Sequence, residues 1–402
     1  MNSAVKFAAL SLICAAAIVG CGKKEIPATT KTADNQPLVV KFAHAAPLTG
    51  PQAHLGKDTE NGVRMAVEEL NTQKIKIGGR EVRFELMAED DQADPKQGTV
   101  VAQKFVDAKV NAVIGHLNSG TTVPASRLYA DAGIPQVTVS TAPVYTNQGF
   151  KTTFRSISND AQQGQVLAYI AIKRLNAKKI AIIDDRTAYG QGLGDEFNKA
   201  VRAQGATVVA HEFTSDKATD FKAILTTIKA KQPDLIFFAG LDPQAGPLMR
   251  QTRELGIKAK FLTGEGGCTP EAAKLAGDAA NGNFCTQHGM PLDKMAGGRA
   301  YREKYKARWN QDVQMYSPYL YDATMVIADA MKRADSVEPA KVLAAMPQTD
   351  YTGVTGRIQY DAKGDIKSGV VSFYEFKNGV AEFIEAINSA DAEPGKAATA
   401  AK

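Results

Sequence analysis

The stretch "VNAVIGHLNSGTTVPASRLYADAGIPQVTVS", residues 110–140, carries the architecture in miniature. "VNAVIG" is an apolar run with the length and composition of a buried strand. It stops at Gly115, and a cluster of His, Asn, Ser, Gly and Thr follows. "TVPASRLYADAG" then resumes at helical spacing, and "IPQVTVS" is a second strand. A strand, a crossover helix and another strand place the two strands parallel. Serial units of this kind build a parallel sheet with helices on both faces.

Outward from this stretch the rhythm repeats. "LVVKFAHAAPL" and "VRFELMAED" read as strands on either side of the helical "DTENGVRMAVEELN", where Val63, Ala66, Val67 and Leu70 share one face. "DPKQGTVVAQKFVD" is a helix opened by Asp94 as N-cap with Pro95 at its first position. A second series begins after "FRSISND". Helices "AQQGQVLAYIAIKRL", "GQGLGDEFNKAVRAQG", "DFKAILTTIKAKQ" and "PQAGPLMRQTRELG" alternate with strands "KKIAIIDD", "TVVAHEF", "PDLIFFAG" and "KAKFLTGEG". The fold class is therefore α/β, with two doubly wound, Rossmann-like lobes; 402 residues exceed what one core organises. Past Cys285 the rhythm breaks. "AGGRAYREKYKARW", "YLYDATMVIADAMKRA" and "EPAKVLAAM" are three helices in a row, and residues 356–384 then alternate with period two, as antiparallel strands do.

The first residues, "MNSAVKFAALSLICAAAIVGCGKKE", combine a charged start, a short apolar run and a cysteine directly after a glycine. The run is too short to span a bilayer and suits a signal peptide. Residues 1–20 are read as that signal and "IVGC" as resembling a lipoprotein box, with Cys21 acylated; an ordinary secretory signal is the alternative. Residues 21–37 are polar enough for a flexible tether. Lipid on Cys21 would hold the protein to a membrane surface without crossing it. Cys268 and Cys285 remain, and in an exported protein a disulfide between them competes with two reduced, buried thiols. Positive and negative residues are interspersed around a net charge of +5, with no basic stripe, so nucleic acid is not indicated.

Ligands of open α/β sheets lie outside the carboxyl ends of the strands. In the first half those ends carry hydroxyls and no acid: Ser119, Ser140 and Thr141. Helices begin just behind them, and free N–H groups there favour an anion. In the second half the ends are acidic, with Asp184, Asp185, Asp242 and Glu265, the last between glycines in "TGEGG". A donor-rich lobe opposite an acidic one suits a zwitterion, its carboxylate on Ser119 and Thr141 and its ammonium on Glu265. No GxSxG, HExxH, P-loop or complete GxGxxG is present. His116 stands near Ser119 but has no orienting acid in sequence, so it reads as a loop residue. Neither an enzyme, a metal site nor a cofactor is expected.

"PLTGPQAHLGKDTENGVRMAVEELN", "DDQADPKQ", "VIGHLNSGTTVPAS", "IAIIDDRTAYGQGL", "DPQAGPLMRQ", "FLTGEGG" and "LAGDAANG" together resemble the periplasmic Leu/Ile/Val-binding protein family of ABC importers, across nearly all of the mature chain. The resemblance implies a type I periplasmic binding protein, two lobes joined by a three-stranded hinge that close on a ligand. Crossovers would fall near residues 155–160, 286–291 and 365–369. Lobe 1 would comprise 38–156 and 290–366, lobe 2 157–289 and 367–386, and a flexible tail 387–402. Ser119, Ser140, Thr141, Tyr189 and Glu265 match ligand-holding positions of the family. The pattern departs at Leu55 and Leu241, which replace aromatic residues; at Asp242, which could meet an additional donor on the ligand; and at Ala93 and Asn118, which stand where the family's disulfide would be. The implied function is an extracytoplasmic receptor for an aliphatic, branched-chain amino acid, acting as a monomer with permease subunits. An amino-acid or amide sensor of the same fold is the alternative.

Overall fold

Two sheets organise the chain, each with helices on both faces. The computed structural model describes residues 36–367 and 369–393; the expected signal peptide, Cys21 and nearly all of the tether lie outside them. The first half runs β1 (Leu38–Ala46), α1 (Ala53–Thr72), β2 (Lys76–Ile77), β3 (Arg80–Asp90), α2 (Pro95–Asp107), β4 (Ala112–Gly115), α3 (Ser119–Asp131), β5 (Gln136–Thr138), α4 (Val144–Asn147) and β6 (Thr153–Arg155). The second runs α5 (Asp160–Tyr169), β7 (Lys179–Asp184), α6 (Ala188–Ala203), β8 (Thr207–Phe213), α7 (Lys222–Ala230), β9 (Leu235–Ala239), α8 (Asp242–Glu254), β10 (Lys260–Thr263), α9 (Pro270–Ala276) and β11 (Phe284–His288). Then come α10 (Gly298–Trp309), α11 (Ser317–Arg333), α12 (Pro339–Ala345), the hairpin β12 (Tyr351–Gly353) and β13 (Gly356–Ile358), β14 (Val370–Lys377) and β15 (Val380–Asn388).

The first sheet has the order β2-β3-β1-β4-β5-β6, parallel except for the β2–β3 hairpin. The second has the order β15-β14-β11-β10-β9-β7-β8, with β14 and β15 antiparallel. Chain order reverses between β1 and β4 in one sheet and between β7 and β9 in the other. Those reversals open a crevice at the strand ends, because successive crossovers leave in opposite directions. The loops after β1, β4, β7 and β9 are therefore the ones placed to meet a ligand.

The three late helices return to the first sheet. Tyr301, Tyr305, Val326, Met331 and Val342 share one apolar core with Val40, Phe42 and Val63. Helix α11 is buried along most of its length, which its near-continuous apolar sequence requires. Asp58 of α1 accepts from the backbone N–H groups of Gln314, Met315, Tyr316 and Ser317 at 2.9–3.1 Å, locking the start of α11 to α1. Asp94 caps α2 through Lys96 and Gln97, both at 2.9 Å.

Of the boundaries that differ from the sequence reading, two bear on the site and the chain end. Helix α3 starts at Ser119 rather than Thr122, so the "SGT" hydroxyls belong to its first turn. Residues 387–392, expected to open a flexible tail, instead have secondary structure. Strand β15 continues through Asn388 to keep its pairing with β14, and a short 3-10 turn, Ser389–Ala392, buries Ala392 in the second lobe.

Candidate functional site

Ser119 opens α3 directly behind β4, and its cap residue Asn118 makes no side-chain cap bond. The first N–H groups of α3 are thus left towards the crevice, where an anion is favoured. The Ser119 oxygen accepts from Ser140 Oγ at 3.1 Å and from the Ala142 N–H at 3.3 Å. Arg155, wholly buried, fixes this loop from behind. Its guanidinium donates to the carbonyls of Ser140 and Ala142, to Thr146 Oγ1 at 3.3 Å and to Asp365 at 2.7 Å. The result is a rigid row of hydroxyls, Ser119, Ser140 and Thr141, each at most 2% exposed.

On the second lobe, β10 delivers Glu265 into a 3-10 turn, Glu265–Gly267. Cys268 follows directly and is bonded to Cys285 of β11, with Cα atoms 5.2 Å apart, so the turn is tied to the neighbouring strand. Glu265 Oε2 accepts from Gln163 Nε2 at 2.7 Å and Tyr189 Oη at 2.9 Å, and His288 Nε2 lies 3.7 Å from Oε1. Burial opposes the carboxylate's charge, but His288, Gln163 and Tyr189 outweigh it and hold the group below its usual range. Tyr189 is pushed well above the ordinary tyrosine range by burial, and then by Glu265, and stays a proton donor. Gly190 lets α6 approach: a Cβ there would meet the Ala239 carbonyl at 2.6 Å.

Asp160 links the two ends. Its N–H donates to the Thr141 carbonyl at 2.9 Å, and the Thr141 hydroxyl favours its charged form. Burial first, and the negative Glu265 second, raise its carboxyl to about 8. Tyr316, at the start of α11, feels Glu265, Asp242 and Asp160 together and is kept protonated by burial. Between the lobes lies a cavity of about 390 Å³, lined by Gln52, Asn118 and Ser119 on one side and Asp185, Tyr189 and Leu241 on the other. These residues follow β1, β4, β7 and β9, the strands flanking both reversals.

The sequence candidates divide accordingly. Ser119, Ser140 and Thr141 gather on one lobe and Tyr189 and Glu265 on the other; of the candidates, Ser119, Tyr189 and Leu241 line the cavity itself. Leu55 is closed into the first-lobe core instead, because its position on α1 points it at that apolar cluster. Asp242 is taken at one oxygen only, its Oδ1 being buried without a protein partner. His54 Nε2 of α1 reaches its Oδ2 at 2.8 Å across the cleft, and Thr269 donates to the same atom at 2.7 Å. Ala93 and Asn118, in place of the cysteines, both line the cavity. His116 is held by Asp91 at 2.7 Å and Tyr129 at 2.9 Å, deep under the loop. Sequence reasoning missed Arg155, Asp160, Gln163, His288 and Tyr316. A buried arginine ending a strand, "TFRS", was the one available signal; the others lie on helices or strand ends whose partners are distant in sequence.

A family model described as periplasmic binding protein matches residues 39–381, both lobes and all three crossovers. The chain belongs to that family. It is 36% identical over 338 residues to the Leu/Ile/Val-binding protein homolog 1 of Brucella abortus, covering 83% of this chain and 89% of that one. It is 34% identical over 342 residues to the leucine-, isoleucine-, valine-, threonine-, and alanine-binding protein of Pseudomonas aeruginosa, covering 84% and 90%. Among solved structures, a leucine-binding protein from Thermotoga maritima superposes with a TM-score of 0.81 at 30% identity, covering 88% of this chain and 99% of that one. A branched-chain amino acid transporter substrate-binding protein from Streptococcus pneumoniae, in complex with isoleucine, gives 0.77 at 26%, covering 86% and 99%. Family members of this kind are receptors for solutes rather than catalysts. Among the described residues no helix is long and apolar enough to cross a membrane.

Proposed function

We propose that this protein is the extracytoplasmic solute receptor of an ABC importer. It captures one free amino acid between its lobes and presents the closed form to the permease. The observation that carries this reading is the opposition of two unlike ends. Ser119, Ser140, Thr141 and the start of α3 offer donors without a cation, while Glu265 is held charged by Gln163, Tyr189 and His288. A carboxylate and an ammonium on one small molecule satisfy both. Leu241 on the wall and relatives named for leucine, isoleucine and valine favour an aliphatic side chain. The protein acts as a monomer, exported and anchored through a lipidated Cys21.

A thermal-shift screen against the common amino acids identifies the ligand, and aliphatic members should give the largest shifts. Glu265→Ala should then weaken binding of the best ligand by about 2–5 kcal/mol in titration calorimetry, since the ammonium is left unpaired in a closed cleft. Unchanged affinity would place the ammonium elsewhere.

A further inference from the structure

Behind the amino-acid cleft, where the chain passes between the lobes, lies a second cavity of about 390 Å³, equal to the one in front. All three crossovers line it: Ser156 and Ser158 from the first, His288 and Gly289 from the second, Ile366 and Lys367 from the third. Arg357 of β13 and Gln359 just after it complete its mouth. Among the described residues no carboxylate lines it. Arg357 is held by Asp350 through two contacts of 2.7 Å, and Asp350 also feels Lys367, so two cations face one acid and positive charge remains in excess.

Two buried groups there lack partners. Ser158 is 1% exposed and its Oγ meets no protein donor or acceptor. His288 is 3% exposed, and its Nδ1 is likewise alone. Gln163 donates its amide to Glu265 and cannot be turned without setting an oxygen against that carboxylate. His288 Nε2 faces Glu265 and favours that carboxylate's charge, so an oxygen anion in the cavity would put the imidazole between two acceptors, with an N–H on each ring nitrogen. A buried N–H and a buried hydroxyl without acceptors are costly. Together with Lys367 they call for an oxygen anion.

We propose that this hinge cavity is a second ligand site, for a small oxyanion of the carboxylate or phosphate class. Its donors are Ser158 Oγ, His288 Nδ1 and Lys367 Nζ, one from each crossover. An occupant therefore touches every strand that must bend when the lobes move. It also meets the same imidazole whose far side faces Glu265.

Titration calorimetry on the full mature chain tests this, with sodium acetate and inorganic phosphate as separate probes at constant ionic strength. Saturable one-to-one binding of either is expected, and which one binds distinguishes the carboxylate from the phosphate source. Lys367→Gln, on an exposed side chain, and Ser158→Ala, which removes one atom, should each weaken it by about tenfold, as loss of a charge-assisted or buried hydrogen bond does. Ser119→Ala, in the front cleft, should leave it unchanged. Absence of saturable binding to both probes overturns the proposal, as does binding insensitive to Lys367→Gln and Ser158→Ala. Loss of binding in Ser119→Ala overturns it too, since the anion would then occupy the amino-acid site.

Discussion

Asp160 and Glu265 are two buried acids in one cleft with opposite tendencies. Glu265 has three neighbours that favour its charge, whereas Asp160 has mainly the Thr141 hydroxyl and the more distant Arg155. Like charges in one site split in this way. A carboxyl raised to about 8 binds a proton in the folded chain that the unfolded chain has released, so stability falls as pH rises between the ordinary Asp value of 3.8 and that point. Asp160→Asn removes the cost. Denaturant melts of the ligand-free protein near pH 8 should show the variant more stable by about 1–3 kcal/mol, with the gain vanishing below about pH 4. An equal gain at both pH values would mean that the effect is not the carboxylate's charge. Glu265 was legible in sequence because glycines flank it. Asp160 was not, because its neighbours Thr141 and Glu265 stand far from it along the chain and only folding makes it an acid beside an acid.

At the level of elements, helix starts decide the site. Helices α3 and α8 both begin in the cleft, at Ser119 and Asp242. The first is left open for an anion, while the second is met by His54 of α1. The hydrogen bond to Asp242 is the main cause of the raised His54 pKa; burial opposes it, and the charges of Asp242 and Glu271 add to it. Since α1 and α8 belong to different lobes, this pairing exists only when they meet. A raised pKa strengthens the closed form below the ordinary value of 6.5, and that contribution is lost as pH rises through the shifted value. Amino-acid affinity should therefore decline as pH rises past about 6.5 and through the shifted value, by less than about tenfold, the limit set by a part-exposed pair. His54→Gln should flatten that slope in calorimetric titrations. Coincident wild-type and variant curves would deny the contact any part in closure. The helix and strand rhythm was readable throughout, because hydrophobic period reports local geometry. The start of α3 was misread by three residues, since "SGT" is equally suited to a loop or a first turn.

For the whole molecule, the decisive feature is that the chain changes lobe three times. Helices α10, α11 and α12 complete the first core, and β14 and β15 complete the second sheet. Neither lobe is contiguous, so three separate segments join them. The proposed anchor at Cys21 acts on this whole. Cys21→Ser should release the protein from membranes into the soluble fraction on cell fractionation, and retention in the membrane pellet would refute lipidation there. By itself the sequence determined the α/β class, the two lobes, and the strand ends that carry Ser119, Thr141 and Glu265. Those follow from periodicity and turn chemistry, which are local. Only the tertiary structure decided that Leu55 belongs to a core, that Asp242 is taken by His54, and that Arg155, Gln163 and His288 support the site. Each depends on which distant segments the crossovers bring together, and a pairing across 100 or more residues, such as Gln163 with Glu265 at a separation of 102, leaves no period in the chain to read.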